Sequence, residues 1–388
     1  INGSHGSAQT ISSSSVVHST TSVSLSGIEG KAFLDVNLSG SFQAGALNFA
    51  DISGDGLMDI IMETSDHDFY FSSGTGSGAS GGLGTASVGL QHGGPSGFTE
   101  NQVQFTDMNG DGRYDSIYQG IDNRFWVNYG QDVGFSGASL VAEHGGGFNT
   151  AQVQYADTNG DSKSDLIFQG TDNRFWVQLG ESDGFGGATL AATHGGGFNP
   201  EQVQYSDLNG DGKIDLLFQG SDNRFWANMG EASGFGGATL VAEHGGPFVA
   251  GAVQYGDVDG DGKSDLMFQG SDNRFWVNLG TSNGFGAAQL AAVVTHDDFN
   301  IEQWQLVDMN NDDALDLMYQ GDDNSVWYYE ATGNGTFETG EQATNFGGDF
   351  QGESVGYGDL NGDNLGDIIF QDENNDVWTS LQNYDWFA

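Results

Sequence analysis

The sequence predicts an all-β protein assembled from seven copies of one four-stranded unit. Short segments rich in β-branched and aromatic residues, bounded by Gly, Asn, Asp or Ser, follow one another along the chain, as is typical of strands. No segment carries a capped helical stripe of apolar residues. An acidic nonapeptide recurs about every 50 residues, with starts at Asp51, Asp107, Asp157, Asp207, Asp257, Asp308 and Asp359. Radial packing of such repeats gives a seven-bladed β-propeller of four-stranded antiparallel blades.

The fourth unit shows the order of the elements most clearly. We predict its four strands over residues 202–205, 215–219, 224–228 and 238–242. The acidic loop lies between the first and the second of these strands. Leu216, Leu217 and Phe218 are apolar at consecutive positions, as expected for a strand that is covered on both faces by neighbouring sheets.

The two ends of the chain predict how the ring closes. Residues 31–51 align without gaps with residues 187–207, so the segment 31–38 is predicted to be a fourth strand. The last unit has no fourth strand of its own, and the N-terminal strand can therefore complete it. This interpretation divides the chain into a Ser/Thr-rich leader, residues 1–30, and a single propeller, residues 31–388.

Composition narrows the classes of partner. The chain has 54 acidic and 9 basic residues and a formal net charge of −45, which excludes nucleic acid and anionic membranes as default partners. Cysteine is absent, so neither disulfides nor thiolate metal sites stabilise the fold. No run of 18 apolar residues and no basic-then-apolar leader occurs. We expect a mature or excised fragment that does not insert into a membrane.

The acidic loops predict metal binding. In Asp-x-Asn-Gly-Asp-Gly-x-x-Asp, side-chain oxygens at positions 1, 3, 5 and 9 converge, and a backbone carbonyl at position 7 adds another hard ligand, which suits calcium. A helical calcium hand would need Glu at position 12, where residues such as Phe218 stand. The alternative is a metal-free Asx-turn, which seven repetitions disfavour. We expect about seven structural Ca²⁺ ions. The predicted ligands are Asp51, Ser53, Asp55, Asp59, Asp107, Asn109, Asp111, Asp115, Asp157, Asn159, Asp161, Asp165, Asp207, Asn209, Asp211, Asp215, Asp257, Asp259, Asp261, Asp265, Asp308, Asn310, Asp312, Asp316, Asp359, Asn361, Asp363 and Asp367.

A second set of repeated positions is suited to ligand binding. In an up-and-down blade, the second turn and the link to the next blade lie on the face opposite the acidic loops. Gln, Arg and Trp recur at the second turn of four blades, and His recurs in the link. Planar polar groups beside an aromatic surface are what sugars need, and repetition adds strength through multivalency. The candidates are His92, His144, His194, His244, His296, Gln119, Gln169, Gln219, Gln269, Arg124, Arg174, Arg224, Arg274, Trp126, Trp176, Trp226 and Trp276.

Each of these residue types also has a structural interpretation. The Trp side chains could pack between blades, the Arg side chains could pair with nearby carboxylates, and the His side chains could tie each link to the adjacent blade. The Gln pairs of the first strands, such as Gln202 and Gln204, are expected to line the central channel. Blades one, six and seven lack the Arg, at residues 65–70, 322–327 and 373–378, so an arginine-dependent site is confined to about four positions.

The motifs resemble those of a known family. The acidic loops, the strands that follow them and the Gly-Phe-Gly-Gly-Ala stretches at 184–188 and 234–238 look like the FG-GAP or VCBS repeats of integrin-α-like seven-bladed propellers. The resemblance covers roughly residues 31–388 and implies a calcium-binding propeller. Such repeats occur in surface adhesins, biofilm matrix proteins, lectins and some polysaccharide lyases, so the resemblance is much less specific for function.

Three functions follow as hypotheses. The first is a secreted or cell-surface, calcium-stabilised propeller that binds a glycan or matrix polysaccharide, as a lectin or as the adhesion module of a larger protein, without enzymatic activity. The second is a polysaccharide lyase with a link His as base and an Arg against a uronate. The third is an integrin-like protein-binding platform or structural module. Near-identical repeated sites favour binding, because an active site normally breaks repeat symmetry.

Overall fold

The computed structural model of the chain shows the expected all-β, seven-bladed propeller. The structure describes residues 32–36, 42–64, 68–75, 87–91, 98–120, 123–132, 134–143, 148–172, 174–193, 198–220, 224–243, 248–270, 274–294, 299–321, 325–345, 350–372 and 377–382. Within these ranges there is no helix of any kind, and hence none of the length and apolarity that a membrane span requires. The division into a leader and a propeller stays a prediction, because the leader lies outside the described ranges.

Each blade is a four-stranded antiparallel sheet whose strands are ordered as they follow in the chain. The first strands are Phe42–Ala50, Phe98–Thr106, Phe148–Ala156, Phe198–Ser206, Phe248–Gly256, Phe299–Val307 and Phe350–Gly358. The second strands are Asp59–Thr64, Asp115–Gly120, Asp165–Gly170, Asp215–Gly220, Asp265–Gly270, Asp316–Gly321 and Asp367–Asp372. The acidic loop joins these two strands in every blade.

The outer half of each blade is equally regular. The third strands are Asp68–Ser72, Arg124–Asn128, Arg174–Gln178, Arg224–Asn228, Arg274–Asn278, Ser325–Tyr329 and Val377–Ser380. The outer strands of blades 1 to 6 are Ser87–Gln91, Ser139–Glu143, Thr189–Thr193, Thr239–Glu243, Gln289–Val293 and Glu341–Asn345. A register shift interrupts the pairing of the third with the outer strand in blades 1 to 6.

The N-terminal strand closes the ring, as the sequence predicts. Ala32–Val36 pairs antiparallel with the third strand of blade 7, with Ala32 opposite Ser380 and Leu34 opposite Trp378. The sheet of blade 7 therefore combines the two ends of the chain. The closure therefore joins residues far apart in sequence through the antiparallel hydrogen bonds of one sheet.

Apolar side chains between adjacent blades form the core. All six residues of Asp215–Gly220 are buried, as are those of the second strands of blades 2, 3, 5 and 6. Each cluster draws on two neighbouring blades: Phe225 and Ala227 of blade 4, for example, pack with Leu266 and Phe268 of blade 5. The consecutive apolar residues seen in the sequence are thus explained by sheets covered on both faces.

Glutamines of the first strands bridge neighbouring blades. Gln104 Nε2 donates to the carbonyl of Val153 at 2.9 Å, and Gln254 Nε2 donates to the carbonyl of Trp304 at 2.6 Å. Gln204 makes the same bond one blade before Gln254. The first strands of adjacent blades are in contact, so these side chains link the innermost strands to one another. The sequence predicted that they line the channel and missed this bridging role.

A short hairpin in the third turn contributes to the packing between blades. In blade 4, Gly230–Glu231 pairs with Gly234–Phe235, and the Phe235 ring lies 6.3 Å from that of Tyr205 in the same blade. Gly234 has a φ of 123° and lies against Ala191 of the preceding blade, where a Cβ would come within 3.2 Å of the Ala191 Cβ. The Gly-Phe-Gly motif therefore serves packing between blades, because only glycine tolerates this approach.

At the closure of the ring, two glycines of blade 7, Gly356 and Gly358, lie directly against side chains of blade 1. A Cβ on Gly356 of blade 7 would lie 2.4 Å from the Phe49 ring of blade 1, which is buried. We expect Gly356→Ala to lower the free energy of unfolding by about 1–3 kcal/mol, as overpacked cores do. Chemical denaturation measures this loss. Gly187→Ala, where a Cβ meets nothing within 4 Å, is the control, and equal stability of the two variants would contradict the assignment.

Candidate functional site

The acidic loops are organised by the aspartate at position 1, counting the nonapeptide from 1 to 9. In blade 4, Asp207 Oδ1 accepts hydrogen bonds from the amides of Gly210 and Asp211 at 2.8 and 3.2 Å, and Oδ2 accepts from Gly212 at 2.8 Å. The position-1 aspartates of the other blades accept equivalent bonds from their own loops. One carboxylate thus holds each loop in its turn.

Left-handed backbone geometry at positions 4 and 6 explains the glycines of the motif. Gly210 and Gly212 have φ values of 74° and 81°. At position 6, Ser162, Asp313 and Asn364 adopt the same geometry, with φ values of 67°, 71° and 64°. The departures from the motif seen in the sequence therefore keep the loop conformation, at the cost of strain that glycine avoids.

The aspartate at position 9 joins two turns of the same blade. Asp215 is fully buried; its Oδ2 accepts from the Leu208 amide at 2.9 Å and its Oδ1 from the Gly230 amide at 2.7 Å. Burial disfavours its charged form and raises the pKa of Asp215 to about 6. Burial raises the pKa to about 7 for each of Asp59, Asp115, Asp265, Asp316 and Asp367. The bond from the Gly230 amide, 15 residues downstream, was not predicted from the sequence.

The donor set of the loops fits calcium. In blade 5, carboxylate oxygens of Asp257, Asp259 and Asp265 all lie within 4.8 Å of one another. In the other six loops position 3 is Asn or Ser. Each of positions 1, 3, 5 and 9 therefore offers a side-chain oxygen in every loop. Carboxylate and amide oxygens around a tight loop are the ligands that Ca²⁺ prefers. A bound ion would offset the repulsion between these carboxylates, and the ligand assignment itself stays a prediction.

Four of the seven acidic loops carry a basic residue at position 7, namely Arg113, Lys163, Lys213 and Lys263, and its role was not predicted. Lys213 Nζ lies 3.0 Å from Asp211 Oδ2, and Lys263 Nζ lies 2.6 Å from Asp261 Oδ2, so each lysine pairs with position 5 of its own loop. Lys163 pairs with Asp161 in the same way at 3.6 Å. The available signal was a basic residue at a fixed loop position in a chain with only 9 of them.

Backbone hydrogen bonds connect the acidic loops of neighbouring blades. The amide at position 8 of one loop donates to a carbonyl at the start of the loop in the preceding blade, as from Ser264 to Asp207 at 2.8 Å. The bond from Met58 of blade 1 to the Asp359 carbonyl of blade 7, at 2.8 Å, continues this pattern across the closure of the ring. The remaining donors are Tyr114, Ser164, Ile214, Leu315 and Gly366. The seven loops therefore form one closed belt.

Strand register fixes which side chains share a face at the opposite edge of the blades. In blade 2, Phe125 lies opposite Gln119, whereas Arg124 lies opposite Glu143 and Trp126 opposite Tyr118. Directly opposed residues share a face, and consecutive residues alternate between faces. Arg124 and Trp126 therefore lie on one face of the blade, and Gln119 lies on the other.

The structure consequently places each candidate site between two blades. Phe125 of blade 2 packs in a cluster with Phe168 and Trp176 of blade 3, so the Gln119 face of blade 2 meets the Arg174 face of blade 3. We call this space cleft 2/3 and name the others in the same way. Repeat analysis grouped Gln, Arg and Trp of the same repeat, whereas the fold brings together Gln of one blade and Arg and Trp of the next.

Polar groups border Gly170 in cleft 2/3. A Cβ on Gly170 would lie 3.6 Å from Trp176 Nε1 and 2.7 Å from Asp172 Oδ1. Trp176 is half-buried, and Arg174 lies on the same face two residues earlier. The backbone of Gly170 is thus closely bordered by the Asp172 carboxylate, the Trp176 indole N–H and the backbone carbonyl of Arg174. Trp176 also packs against the apolar cluster between blades 2 and 3, as its structural interpretation predicts.

The glutamines lie at the buried side of the clefts. Gln119, Gln169, Gln219 and Gln269 are each at most 4% exposed. Neither polar atom of the Gln269 side chain has a hydrogen-bond partner, and Gln119 Oε1 has none either. A buried amide without partners is costly, and such groups often mark the place of a water molecule or a ligand.

The arginines are exposed and take part in ion pairs. Arg124 Nε donates to Glu143 Oε1 and Arg224 Nε donates to Glu243 Oε1, both at 2.8 Å, while Arg174 lies 3.3 Å from Asp172. All of these side chains are about half exposed. The sequence left open whether the arginines pair with nearby carboxylates, and Arg124, Arg174 and Arg224 do so.

Some predicted site residues lie outside the described ranges. These are the link histidines His92, His144, His194, His244 and His296, together with the turn residues 65–67, 322–324 and 373–376. Their contribution to the clefts stays a prediction from the sequence.

Comparison with known proteins identifies the repeat. A family model described as an FG-GAP-like repeat matches residues 157–218, 207–268 and 308–370. These segments run from one acidic loop through the next, so the repeat matched is the unit inferred from the sequence. No curated protein sequence matches the chain.

Solved structures with the same fold include a lectin. The structure of an Agrocybe aegerita lectin, described for its specific recognition of non-reducing terminal N-acetylglucosamine, has a TM-score of 0.65 and 18% identity, covering 82% of this chain and 89% of the lectin. BBS1N in complex with ARL6DN has a TM-score of 0.51 and 7% identity, covering 92% of this chain and 97% of that one. At these identities the similarity is one of fold.

Proposed function

This chain is a seven-bladed propeller in which residues 157–268 and 308–370 match an FG-GAP-like repeat, and on that premise we propose that it is a non-enzymatic carbohydrate-binding module. Its glycan sites are the inter-blade clefts opposite the acidic loops, and about seven Ca²⁺ ions stabilise those loops. The module acts outside the cell, secreted or on the cell surface, as a lectin or adhesin. The observation that carries the proposal is that the face of one blade that bears Gln meets the face of the next blade that bears Arg and Trp, as in cleft 2/3.

The chemistry of cleft 2/3 suits a sugar. The indole N–H of Trp176 and the guanidinium of Arg174 donate to hydroxyl oxygens, and the Asp172 carboxylate accepts from hydroxyl protons. The buried amide of Gln119, whose Oε1 has no partner, adds polar atoms at the back of cleft 2/3. A few convergent polar groups beside an aromatic wall are typical of small-ligand sites.

Repetition of the cleft favours binding over catalysis. The Gln, Arg and Trp positions repeat with nearly the same geometry in blades 2 to 5. Several equivalent weak sites on one face strengthen attachment to a polymer or a dense glycan surface through effective concentration. The fold shared with a glycan-recognising lectin supports the same conclusion.

Screening on a glycan array, followed by calorimetric titration, tests the proposed function. Gly170→Val places a side chain against Asp172 and Trp176, since a Cβ alone would come within 2.7 Å of Asp172 Oδ1. We expect it to abolish binding at cleft 2/3 and lower the stoichiometry of the best array glycan by one site. The matched control is Gly187→Val in the same blade, where a Cβ meets nothing within 4 Å. Absence of binding to every glycan, or an equal effect of the two variants at unchanged melting temperature, would refute the proposal.

A further inference from the structure

Basic residues are distributed unevenly around the ring. Eight of the nine lie between Arg113 and Arg274, within blades 2 to 5, and the ninth is Lys31, outside the described ranges. Neither lysine nor arginine occurs between Lys31 and Arg113 or after Arg274. Blades 6, 7 and 1 therefore have none, although each has an acidic loop. These three blades are consecutive and include the closure, where Ala32–Val36 pairs with Val377–Ser380.

The residue at position 7 of each loop lies where two loops meet. A Cβ on Gly210 of the blade 4 loop would come within 3.1 Å of Lys263 Cγ in the blade 5 loop. A Cβ on Gly160 of blade 3 would likewise come within 3.4 Å of Lys213 Cγ in blade 4. Each lysine thus borders two loops, since its stem lies against the preceding loop and its Nζ pairs with position 5 of its own. We number the loops by blade and each junction by the two loops it joins.

The junctions differ in the residue that they hold. Junctions 2/3, 3/4 and 4/5 hold a lysine, namely Lys163, Lys213 and Lys263. Junctions 5/6, 6/7 and 7/1 have an apolar residue at position 7, namely Ala314, Leu365 and Leu57. Junction 1/2 holds Arg113, which pairs with Asp132 in the third turn of its own blade. Loops 3 and 4 therefore border a lysine on both sides, whereas loops 6 and 7 border an apolar residue on both sides.

A lysine at a junction reduces the repulsion between carboxylates that the loop holds together. In loop 5, carboxylate oxygens of Asp257, Asp259 and Asp265 lie within 4.8 Å of one another, so each raises the energy of the others when no ion is bound. A partly exposed ion pair contributes little by itself, but a fixed cation here acts on several crowded charges. Loop 6 has four aspartates and Ala314 at position 7, so position 7 gives it no such relief.

We propose that calcium holds loops 6 and 7, and with them the closure of the ring, whereas the lysines at position 7 keep loops 3 and 4 in place without it. The inference rests on the calcium binding included in the proposed function and gives the ions different roles around the ring. Loop 7 joins the first two strands of blade 7, whose sheet Ala32–Val36 completes. Loss of that loop therefore opens the ring at its closure, while cleft 3/4 lies in the part that keeps its loops.

Hydrogen–deuterium exchange of the whole chain, read by mass spectrometry, tests the inference. The protein is compared in excess calcium and in a chelator, below the melting temperature of the chelated form. We expect chelation to accelerate amide exchange at residues 308–316 and 359–367 at least about tenfold more than at residues 157–165 and 207–215, because exchange reports local opening. The closing strand, residues 32–36, should follow loop 7.

Two substitutions change the junctions in opposite directions. Lys213→Met keeps the apolar stem and removes the charge between loops 3 and 4, so their exchange under chelation should rise toward that of loop 6. Leu57→Lys adds a lysine at junction 7/1 and should slow the exchange of loop 7 under chelation. A lysine fits there, because a Cβ on Gly74 would meet Leu57 Cβ as one on Gly230 would meet Lys213 Cβ.

A matched control separates the junction from general charge effects. Leu240→Lys adds the same charge on the outer strand of blade 4, where Leu240 is 43% exposed, and it should leave the exchange of loop 7 unchanged. Equal acceleration of all the loops by chelation, or equal effects of Leu57→Lys and Leu240→Lys, would overturn the inference and leave calcium stabilisation intact. No effect of chelation on any loop would refute the inference together with the calcium binding of the proposed function.

Discussion

Removal of divalent cations at pH 8 should lower the melting temperature of this protein by more than about 10 °C. Each acidic loop concentrates three or four carboxylates, and a bound Ca²⁺ that is absent from the unfolded chain stabilises the folded state through its binding free energy. Scanning calorimetry with excess calcium and with a chelator measures the difference. Magnesium at the same concentration is the control for ionic strength, since it fits such loops poorly.

The chelated protein should be more stable at pH 5.5 than at pH 8. The buried position-9 aspartates have pKa values raised to about 6 or 7 in the folded protein. Between the unfolded pKa, near 4, and these values the folded state binds more protons, so stability falls as the pH rises through that window. A three-unit rise amounts to at most about 4 kcal/mol for one group.

Calcium should reverse this dependence, because the ion and the proton compete for the same carboxylates. The calcium-induced rise in melting temperature is therefore expected to be larger at pH 8 than at pH 5.5. A melting temperature unaffected by chelation at pH 8 would refute the calcium assignment. A chelated protein that becomes more stable between pH 5.5 and pH 8 would refute the role given to the buried aspartates.

Asp215→Ala should destabilise the protein far more than Asp211→Ala, although both residues belong to the same loop. Asp215 is fully buried and accepts the amides of Leu208 and Gly230, so alanine leaves two donors without a partner, at about 1–3 kcal/mol each. Asp211 is exposed, and its side chain accepts from Lys213 within the loop. We expect Asp215→Ala to lower the free energy of unfolding by about 3 kcal/mol or more, even with the chelator present.

Comparing each variant with and without calcium separates the two roles. Asp211→Ala should lose stability mainly in calcium, because it removes a ligand and leaves the loop hydrogen bonds of position 1 intact. Asp215→Asn retains one acceptor oxygen and should fall between Asp215→Ala and the unmodified chain in the chelator. Equal losses for Asp215→Ala and Asp211→Ala under chelation would show that the two turns are not joined through position 9.

Local sequence signals were sufficient to predict the strands from which the blades are built. The strand of residues 215–219 was predicted from its apolar run, and it extends over Asp215–Gly220. The third strand was predicted at its observed bounds, Arg224–Asn228. The outer strand was predicted one residue too early, since it spans Thr239–Glu243. These successes have a common reason: strand periodicity and turn residues are local properties that recur at one spacing.

The partners of individual side chains could not be predicted in the same way. The amide that binds Asp215 Oδ1 belongs to Gly230, in a different turn, and the bond of Gln254 ends on Trp304 of another blade. Repeat alignment compares a position with its equivalents and carries no information on which residue of the next repeat lies against it. The sequence therefore did not show that Gln119 and Arg124 lie on opposite faces of their blade, which follows from strand register.

The sequence by itself determined the seven repeats, the four strands of each, the acidic loops and the closure of the ring by the N-terminal strand, because hydrophobic pattern and turn chemistry are written into consecutive residues. Only the tertiary structure decided that the loops form one hydrogen-bonded belt and that clefts 2/3, 3/4 and 4/5 each combine Gln of one blade with Arg and Trp of the next. The physical reason is that blades pack face to face, so every site between them depends on strand register and on the pairing of faces, which exist only once the ring has formed.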